Sequence, residues 1–297
     1  MRQRELFPVD RGLQARMVLT AVLTPTLVVA LLAVCVVELP LRIVIGLGIV
    51  TVLGAAAVLA ERRRTESAHV LGPGAEPELQ AIVARLCVTA DLPAPEIVLD
   101  DERQPNSWIV DAPGRAPRLH VTYGLLDLLE PAELEAVVAH ELSHVVNHDA
   151  TVMTVVGLPG AALRRGGGRA VFIGGPLIFG RLVVVVIGTV AGVGSSALSR
   201  YRELTADAGA VALTGRPSAL ASALMQVSGD LVRVPAEDLR AVAGRDALHF
   251  LPVGEDPTGW RRVLQATHPS VERRLAALAR LEHELQHGRP ARGGPHA

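Results

Sequence analysis

Two charge-free apolar runs stand near the head of the chain: MVLTAVLTPTLVVALLAVCVV at 17–37 and IVIGLGIVTVLGAAAVLA at 43–60. A helix needs roughly 20 apolar residues to cross a bilayer, so each run has that length or nearly so. Only ELPLR separates them, which predicts a tight membrane hairpin; a helical hairpin buried in a soluble core is the alternative. The first run is too long for a cleaved signal peptide, and no small-residue cleavage site follows it. A further apolar region runs from Val152 to Leu198, broken by RRGGGR at 164–169 and by Arg181. Its first piece, 152–163, is short for a span and holds Pro159 and Gly160, so a second hairpin and a re-entrant excursion both fit.

Between these regions the pattern is that of a folded domain. PEIVLDD (95–101), NSWIV (106–110) and RLHVTYG (118–124) are rich in strand-forming residues, and DAPGRAP between the last two reads as a turn. A helix is predicted from Pro131, with Glu133 in its first turn, to about Asp149. Further helices are predicted at 200–213, 217–228 and 270–287. The expected class is mainly α with a small β-sheet: multi-pass membrane helices plus a domain split around the second apolar region. The expected order is an N-terminal segment 1–16, a membrane hairpin 17–60, domain parts 61–150 and 199–288 around membrane segment 151–198, and a disordered tail 289–297.

Composition sharpens this picture. Hydrophobic residues make up 49% and aromatics only 3%, so the apolar mass is aliphatic. A net charge of −1 provides no bulk attraction for nucleic acid. Arg2, Arg4, Arg11 and Arg16 precede the first run and Arg62, Arg63 and Arg64 follow the second, while the hairpin tip holds only Arg42. The positive-inside rule therefore puts both flanks in the cytoplasm. Arg164, Arg165 and Arg169 would lie at the outer end of a second hairpin, against that trend. Cys35 and Cys87 are far apart, and Cys35 is inside an apolar run, so both are expected to be reduced packing residues.

The pattern His-Glu-x-x-His occurs twice, as HELSH at 140–144 and HELQH at 283–287. Residues four apart share a helix face, so either copy can present two imidazoles to one ion. Their surroundings separate them. In the first helix Leu134, Val137, Val138 and Val145 mark the apolar stripe, and Glu141 falls within about 20–40° of its centre. An unpaired carboxylate in a core is costly, so one kept there points to catalysis or to a buried partner. In the second helix Val271, Leu275, Leu278, Leu281 and Leu285 form the stripe, and His283, Glu284 and His287 lie roughly 120–180° from it. Gly288 and Pro290 follow, and no acid or cysteine comes later. That copy is predicted to be a solvated helix end.

A catalytic zinc takes three protein ligands and keeps one position open. His148 is about 12 Å along the helix axis from His140, too far for both to reach one ion. Glu203 in SRYRELTADAGA is the better third ligand: Asp207 shares its face, and Ala206, Ala208 and Gly209 permit close helix approach. Asp207 would then accept a hydrogen bond from a ligand histidine and fix its tautomer. An ordinary surface pair of acids is the alternative. For Glu203 to meet His140 and His144, residues 152–198 must cross the membrane an even number of times or not at all.

Taken together, EPAELEAVVAHELSHVVNHD, SRYRELTADAGAVALTGRPSALASAL and THPSVERRLAAL resemble the HtpX-type membrane zinc metalloproteases, with the CAAX prenyl protease a more distant relative. The match covers residues 95 to 282 in order, plus the N-terminal hairpin, and PNSWIV resembles the family's Asn-x-aromatic segment. The resemblance implies a zincin-like (gluzincin) domain with one zinc on His140, His144 and Glu203 and Glu141 as general base. It also implies four membrane segments, a cytoplasm-facing site in the cell membrane, and misfolded or damaged membrane proteins as substrates. His268 of THPS is the candidate oxyanion donor, or else a helix-start residue. Arg274 would orient it or bind substrate, or else be a solvated helix residue. Substrate backbone would add to the edge of NSWIV. There Asn106 would bond the peptide and Trp108 line a side-chain pocket; a turn residue and a core aromatic are the alternatives. Asp149 is a candidate acceptor behind a ligand or a polar helix terminus, and Asn147 fits the family pattern or a helix end equally well. Two rival functions are a CAAX-prenyl-type processing protease, for which the chain has too few membrane segments, and a non-catalytic scaffold with structural zinc, which has no need of Glu141.

Overall fold

The computed structural model describes residues 11–38, 52, 70–72, 74–111, 116–147, 149, 178–231 and 268–287. The expectations for 43–60 (all but residue 52), 112–115, 148, 152–177 and 289–297 lie outside these residues. In chain order the elements are α1 (Arg11–Glu38), α2 (Pro77–Ala90), β1 (Glu96–Asp100), β2 (Ser107–Val110), β3 (Arg118–Thr122), α3 (Tyr123–Leu128), α4 (Pro131–Val146), α5 (Ile178–Thr214), α6 (Pro217–Leu231) and α7 (Val271–His287). The fold is mainly helical with one small sheet, as the periodicity predicts.

The sheet has the order β1-β3-β2, with β1 parallel and β2 antiparallel to β3. Val70 bridges Val98 on the outer side of β1, so among the described residues β2 is the edge strand of the sheet. The alternation of strand side chains sends Ile97, Ile109, Leu119 and Val121 into the main core. On the opposite face Trp108 and His120 are register partners, and their rings stack at 4.7 Å. β3 ends at Thr122, two residues before the predicted end, because the Thr122 hydroxyl accepts the Leu125 N–H at 3.2 Å and caps α3.

Helix α2 is absent from the predicted helices, although Leu79, Ile82, Val83, Leu86 and Cys87 repeat at helical spacing and all face the core. The Cys87 thiol is free and buried. Helix α4 crosses the centre of the molecule, and Leu134, Val137, Val138 and Val145 are buried on its stripe. Glu133, near the α4 N-terminus, accepts hydrogen bonds from Ser222 (2.5 Å) and Gln226 (2.6 Å) on α6, tying the two helices together.

Helix α5 joins the second piece of the apolar region 152–198 to the helix predicted at 200–213 without a break, and its 37 residues extend about 55 Å. It packs against both α1 and α4. The α1 contact is very close: a Cβ on Gly194 would fall 2.0 Å from Thr24 Oγ1. Further along, the Thr205 hydroxyl meets Met17 Sδ at 3.4 Å, so the two helices run antiparallel. Gly194→Val should therefore prise α1 off α5 at a cost of about 1–3 kcal/mol. Limited proteolysis of the detergent-purified protein should show faster cutting, and adding Thr24→Ala should slow it again. Unchanged cutting would rule out this close packing.

Among the described residues no helix is long and apolar enough to cross a membrane. Helix α1 nevertheless turns Val18, Leu19, Val22, Leu23 and Val29 outward, each more than half exposed.

Candidate metal centre

Three elements bring the site together. Helix α4 carries His140, Glu141 and His144; α5 carries Arg202, Glu203 and Asp207; α7 carries Arg274, and His268 stands three residues before its start. The 3.6-residue period puts His140 and His144 one turn apart, with ring centroids 4.9 Å apart. Small residues Ala206 and Ala210 are fully buried on α5, which lets its backbone approach α4.

His140 Nε2 lies 3.6 Å from Glu203 Oε2, and His144 Nε2 lies 3.7 Å from Glu203 Oε1. One ligand atom from each of the three residues falls within 4.8 Å of the others. Ligand atoms around a tetrahedral zinc at ~2.0–2.2 Å stand about 3.5 Å apart, so this spacing fits one ion after a small closure. Glu203 Oε2 is buried and accepts no hydrogen bond, which a cation would remedy. Two imidazoles and one carboxylate also suit zinc better than a hard, all-oxygen cation. Among the described residues no other cluster of this kind occurs.

Behind each histidine stands an aspartate, and behind each aspartate an arginine. His140 Nδ1 is 3.0 Å from Asp207 Oδ1, and Arg274 grips Asp207 with Nη2 to Oδ1 at 2.6 Å and Nε to Oδ2 at 2.9 Å. His144 Nδ1 is 2.6 Å from Asp149 Oδ2, and Arg202 Nε is 3.0 Å from the same oxygen. That last approach is an ion pair rather than an aligned hydrogen bond, since Arg202 Nε has no hydrogen-bond partner. Asp207, Asp149, Arg274 and Arg202 are all buried. For Arg274 this removes the solvated alternative.

Glu141 is 1% exposed. Burial pushes its carboxyl above the ordinary value, against the pull of His140 and His144. The Ser107 hydroxyl, on edge strand β2, donates to Glu141 Oε1 at 3.2 Å. His268 is buried, with Nδ1 3.2 Å from Glu203 Oε2. Asn106 is buried at the entry to β2, where its side chain accepts the Ser107 N–H at 2.9 Å. Trp108 is 2% exposed and stacks on His120, on the sheet face opposite the main core. Asn147 caps the end of α4. The second His-Glu-x-x-His copy stands apart: His283 and His287 are exposed, and their rings stack on each other at 4.3 Å.

Sequence reading missed Ser107 and Arg202. Ser107 follows the singled-out Asn106, and strand alternation sends it to the face opposite Trp108. Arg202 precedes Glu203, and no local signal marks it as buried.

The electrostatics of the metal-free protein follow from these contacts. Burial opposes a charged His140, but Asp207 and Glu203 beside it raise its pKa from 6.5 to about 9. Burial likewise opposes charge on Glu203 and Asp207. His268 and His140 beside it hold Glu203 well below its usual range, and Arg274 holds Asp207 below its own. The raised histidine contributes stability that is complete below pH 6.5 and lost as pH climbs through about 9. The two lowered carboxylates contribute stability that is complete above their unfolded pKa values and lost as pH falls through the folded ones. Chelator-stripped protein should thus melt at lower temperature at pH 9.5 than at pH 6. Zinc-loaded protein should lose that trend, because a ligating imidazole must shed its proton first. Thermal scans across this range check it; parallel curves for stripped and loaded protein would contradict it.

Residues 73–282 match peptidase family M48. Protease HtpX homolog 2 of Methanosarcina acetivorans is 40% identical over 242 residues, covering 74% of this chain and 78% of the relative. Protease HtpX homolog 1 of Streptomyces coelicolor is 40% identical over 296 residues, covering 94% of this chain and 96% of the relative. The crystal structure of S. mikatae Ste24p superposes with a TM-score of 0.49 at 18% identity, covering 78% of this chain and 56% of that one.

Proposed function

Because the chain belongs to peptidase family M48 and is a metalloendopeptidase, we propose that it is an integral-membrane enzyme using one zinc per chain to cleave misfolded or damaged membrane proteins on the cytosolic side of the cell membrane. The observation that carries this reading is the convergence of His140, His144 and Glu203 beside a buried, protonatable Glu141. A scaffold with structural zinc requires the three ligands and has no use for a further buried acid held by Ser107.

Zinc in such a site supplies Lewis acidity that polarises water and the scissile carbonyl. The chain's own groups do the rest. Glu141, made a better base by burial, takes a proton from the attacking water and delivers it to the leaving amine. Ser107 keeps the Glu141 carboxylate turned toward the ligands. His268 faces Glu203 through Nδ1, so donation to the developing oxyanion would fall to its Nε2. Edge strand β2 passes Glu141 at Ser107 and offers main-chain groups to a substrate in extended form.

Several features favour the membrane layout. Helix α1 holds the whole of the charge-free run 17–37 and turns aliphatic side chains outward. Its antiparallel packing on α5 brings Met17, next to Arg16, level with Thr205, two residues from Glu203. The basic N-terminal flank and the candidate ligands thus share one end of the helix pair, and by the positive-inside rule that end is cytoplasmic.

Full-length protein in detergent should cut casein, stop on zinc removal and recover with one equivalent of zinc. No cleavage with zinc bound would defeat the enzyme reading. Sidedness is tested by Ser270→Cys, an exposed position beside His268, in a Cys35→Ser and Cys87→Ser background. A membrane-impermeant maleimide should label it in inverted vesicles and not in intact cells; the reverse would put the site outside.

A further inference from the structure

We propose that Arg202 is a positioning residue: through Asp149 it holds the His144 ring in the tautomer and orientation that present Nε2 to the metal. This rests on the reading of His140, His144 and Glu203 as ligands.

The geometry sets up a competition at His144 Nδ1. Asp149 Oδ2 is 2.6 Å away and can only accept, while Arg202 Nη2 is 3.3 Å away and can only donate. If Asp149 wins, Nδ1 carries the proton and Nε2 offers its lone pair to a cation. If Arg202 wins, Nδ1 is the acceptor, the proton sits on Nε2, and the ring cannot ligate. The shorter contact to a charged acceptor decides for Asp149. Arg202 assists because its Nε, 3.0 Å from the same oxygen, holds the carboxylate in place. Asp149 is 2% exposed and Arg202 7%, so neither has bulk water as a substitute partner. The arrangement repeats the Arg274–Asp207–His140 chain on the other ligand, so each imidazole is set by its own buried pair.

The two residues should therefore fail unequally. Asp149→Ala leaves a buried cation donating to Nδ1, which imposes the non-ligating tautomer. Arg202→Ala leaves the correct acceptor in place but loosely held. Outer partners of metal ligands are worth roughly 10–100-fold in affinity. Zinc affinity, measured by chelator competition on full-length protein in detergent, should fall about tenfold in Arg202→Ala and about a hundredfold in Asp149→Ala. The double variant should bind more tightly than Asp149→Ala alone. The visible spectrum of cobalt-loaded Arg202→Ala should change as well, since it reports ligand orientation and not fold stability. If Arg202→Ala fails to fold, Arg202→Gln decides by the same two measurements. Zinc affinity and cobalt spectrum equal to those of the unaltered chain would overturn the proposal, as would a double variant no better than Asp149→Ala. If the unaltered chain itself binds no zinc, the ligand reading is what has failed.

Discussion

Glu141→Gln should lower the rate of peptide cleavage by roughly 10²–10⁴-fold, the usual worth of a general base, with zinc still bound. The substitution is isosteric, and Glu141 is not among the three groups whose atoms converge, so the ligand set remains whole. The carboxamide cannot take a proton from water. Ser107 can still donate to the amide oxygen, so the side chain keeps its direction. Stability should not fall. Burial raises the Glu141 pKa, which means that its charged form is disfavoured where it sits, and a neutral side chain relieves that. The measurements are casein cleavage, bound zinc per chain and melting temperature on the same preparation. Cleavage within a few-fold of the unaltered chain would remove Glu141 from the chemistry. Loss of zinc together with activity would make it structural instead.

Arg274→Ala should cost about 3–5 kcal/mol of stability, because it strands a buried carboxylate. Arg274 is 0% exposed, holds Asp207 through two short contacts and lies 3.9 Å from Glu203 Oε2. Without it, Asp207 and Glu203 face each other in a water-poor interior with no permanent cation beside them. Zinc affinity should fall too, since Asp207 sets the His140 ring. Lysine should restore only part of the loss, because an ammonium cannot reproduce the two-pronged grip. Arg274→Met with Asp207→Leu should be markedly more stable than Arg274→Ala, since removing both charges leaves none unpaired. Thermal unfolding with and without zinc tests this. A melting temperature for Arg274→Ala within a degree of the unaltered chain would contradict the burial argument.

These expectations start from different kinds of information. The placement of Glu141 needed only helical periodicity: four aliphatic positions define a face, and position 141 falls on it. The same rule finds α4, α6 and α7, and it separates HELSH from HELQH because one lies on an apolar stripe and the other opposite one. It applies equally to α2, whose stripe from Leu79 to Cys87 is as regular. Where sequence reading overran, as at the end of β3, a single hydroxyl cap at Thr122 redirected the chain.

Arg274 and Arg202 belong to the other kind. On an amphipathic helix an arginine is solvated by default, and nothing within a few residues of either says otherwise. Their partners are distant: Asp207 stands 67 residues from Arg274, and His144 stands 58 from Arg202. The acid pair Glu203 and Asp207 could be proposed from its i, i+4 spacing, but which acid meets which histidine depends on how α5 lies across α4. Trp108 shows the same limit, since only the β2–β3 register sets it against His120. The amino-acid order by itself determined what short-range rules govern: helix faces, the two imidazoles one turn apart, the apolar runs and the family motif. Tertiary structure decided which charges are buried and whom they pair with. The energy of a buried charge is set by the neighbours that exclude water from it, and those neighbours come from remote parts of the chain.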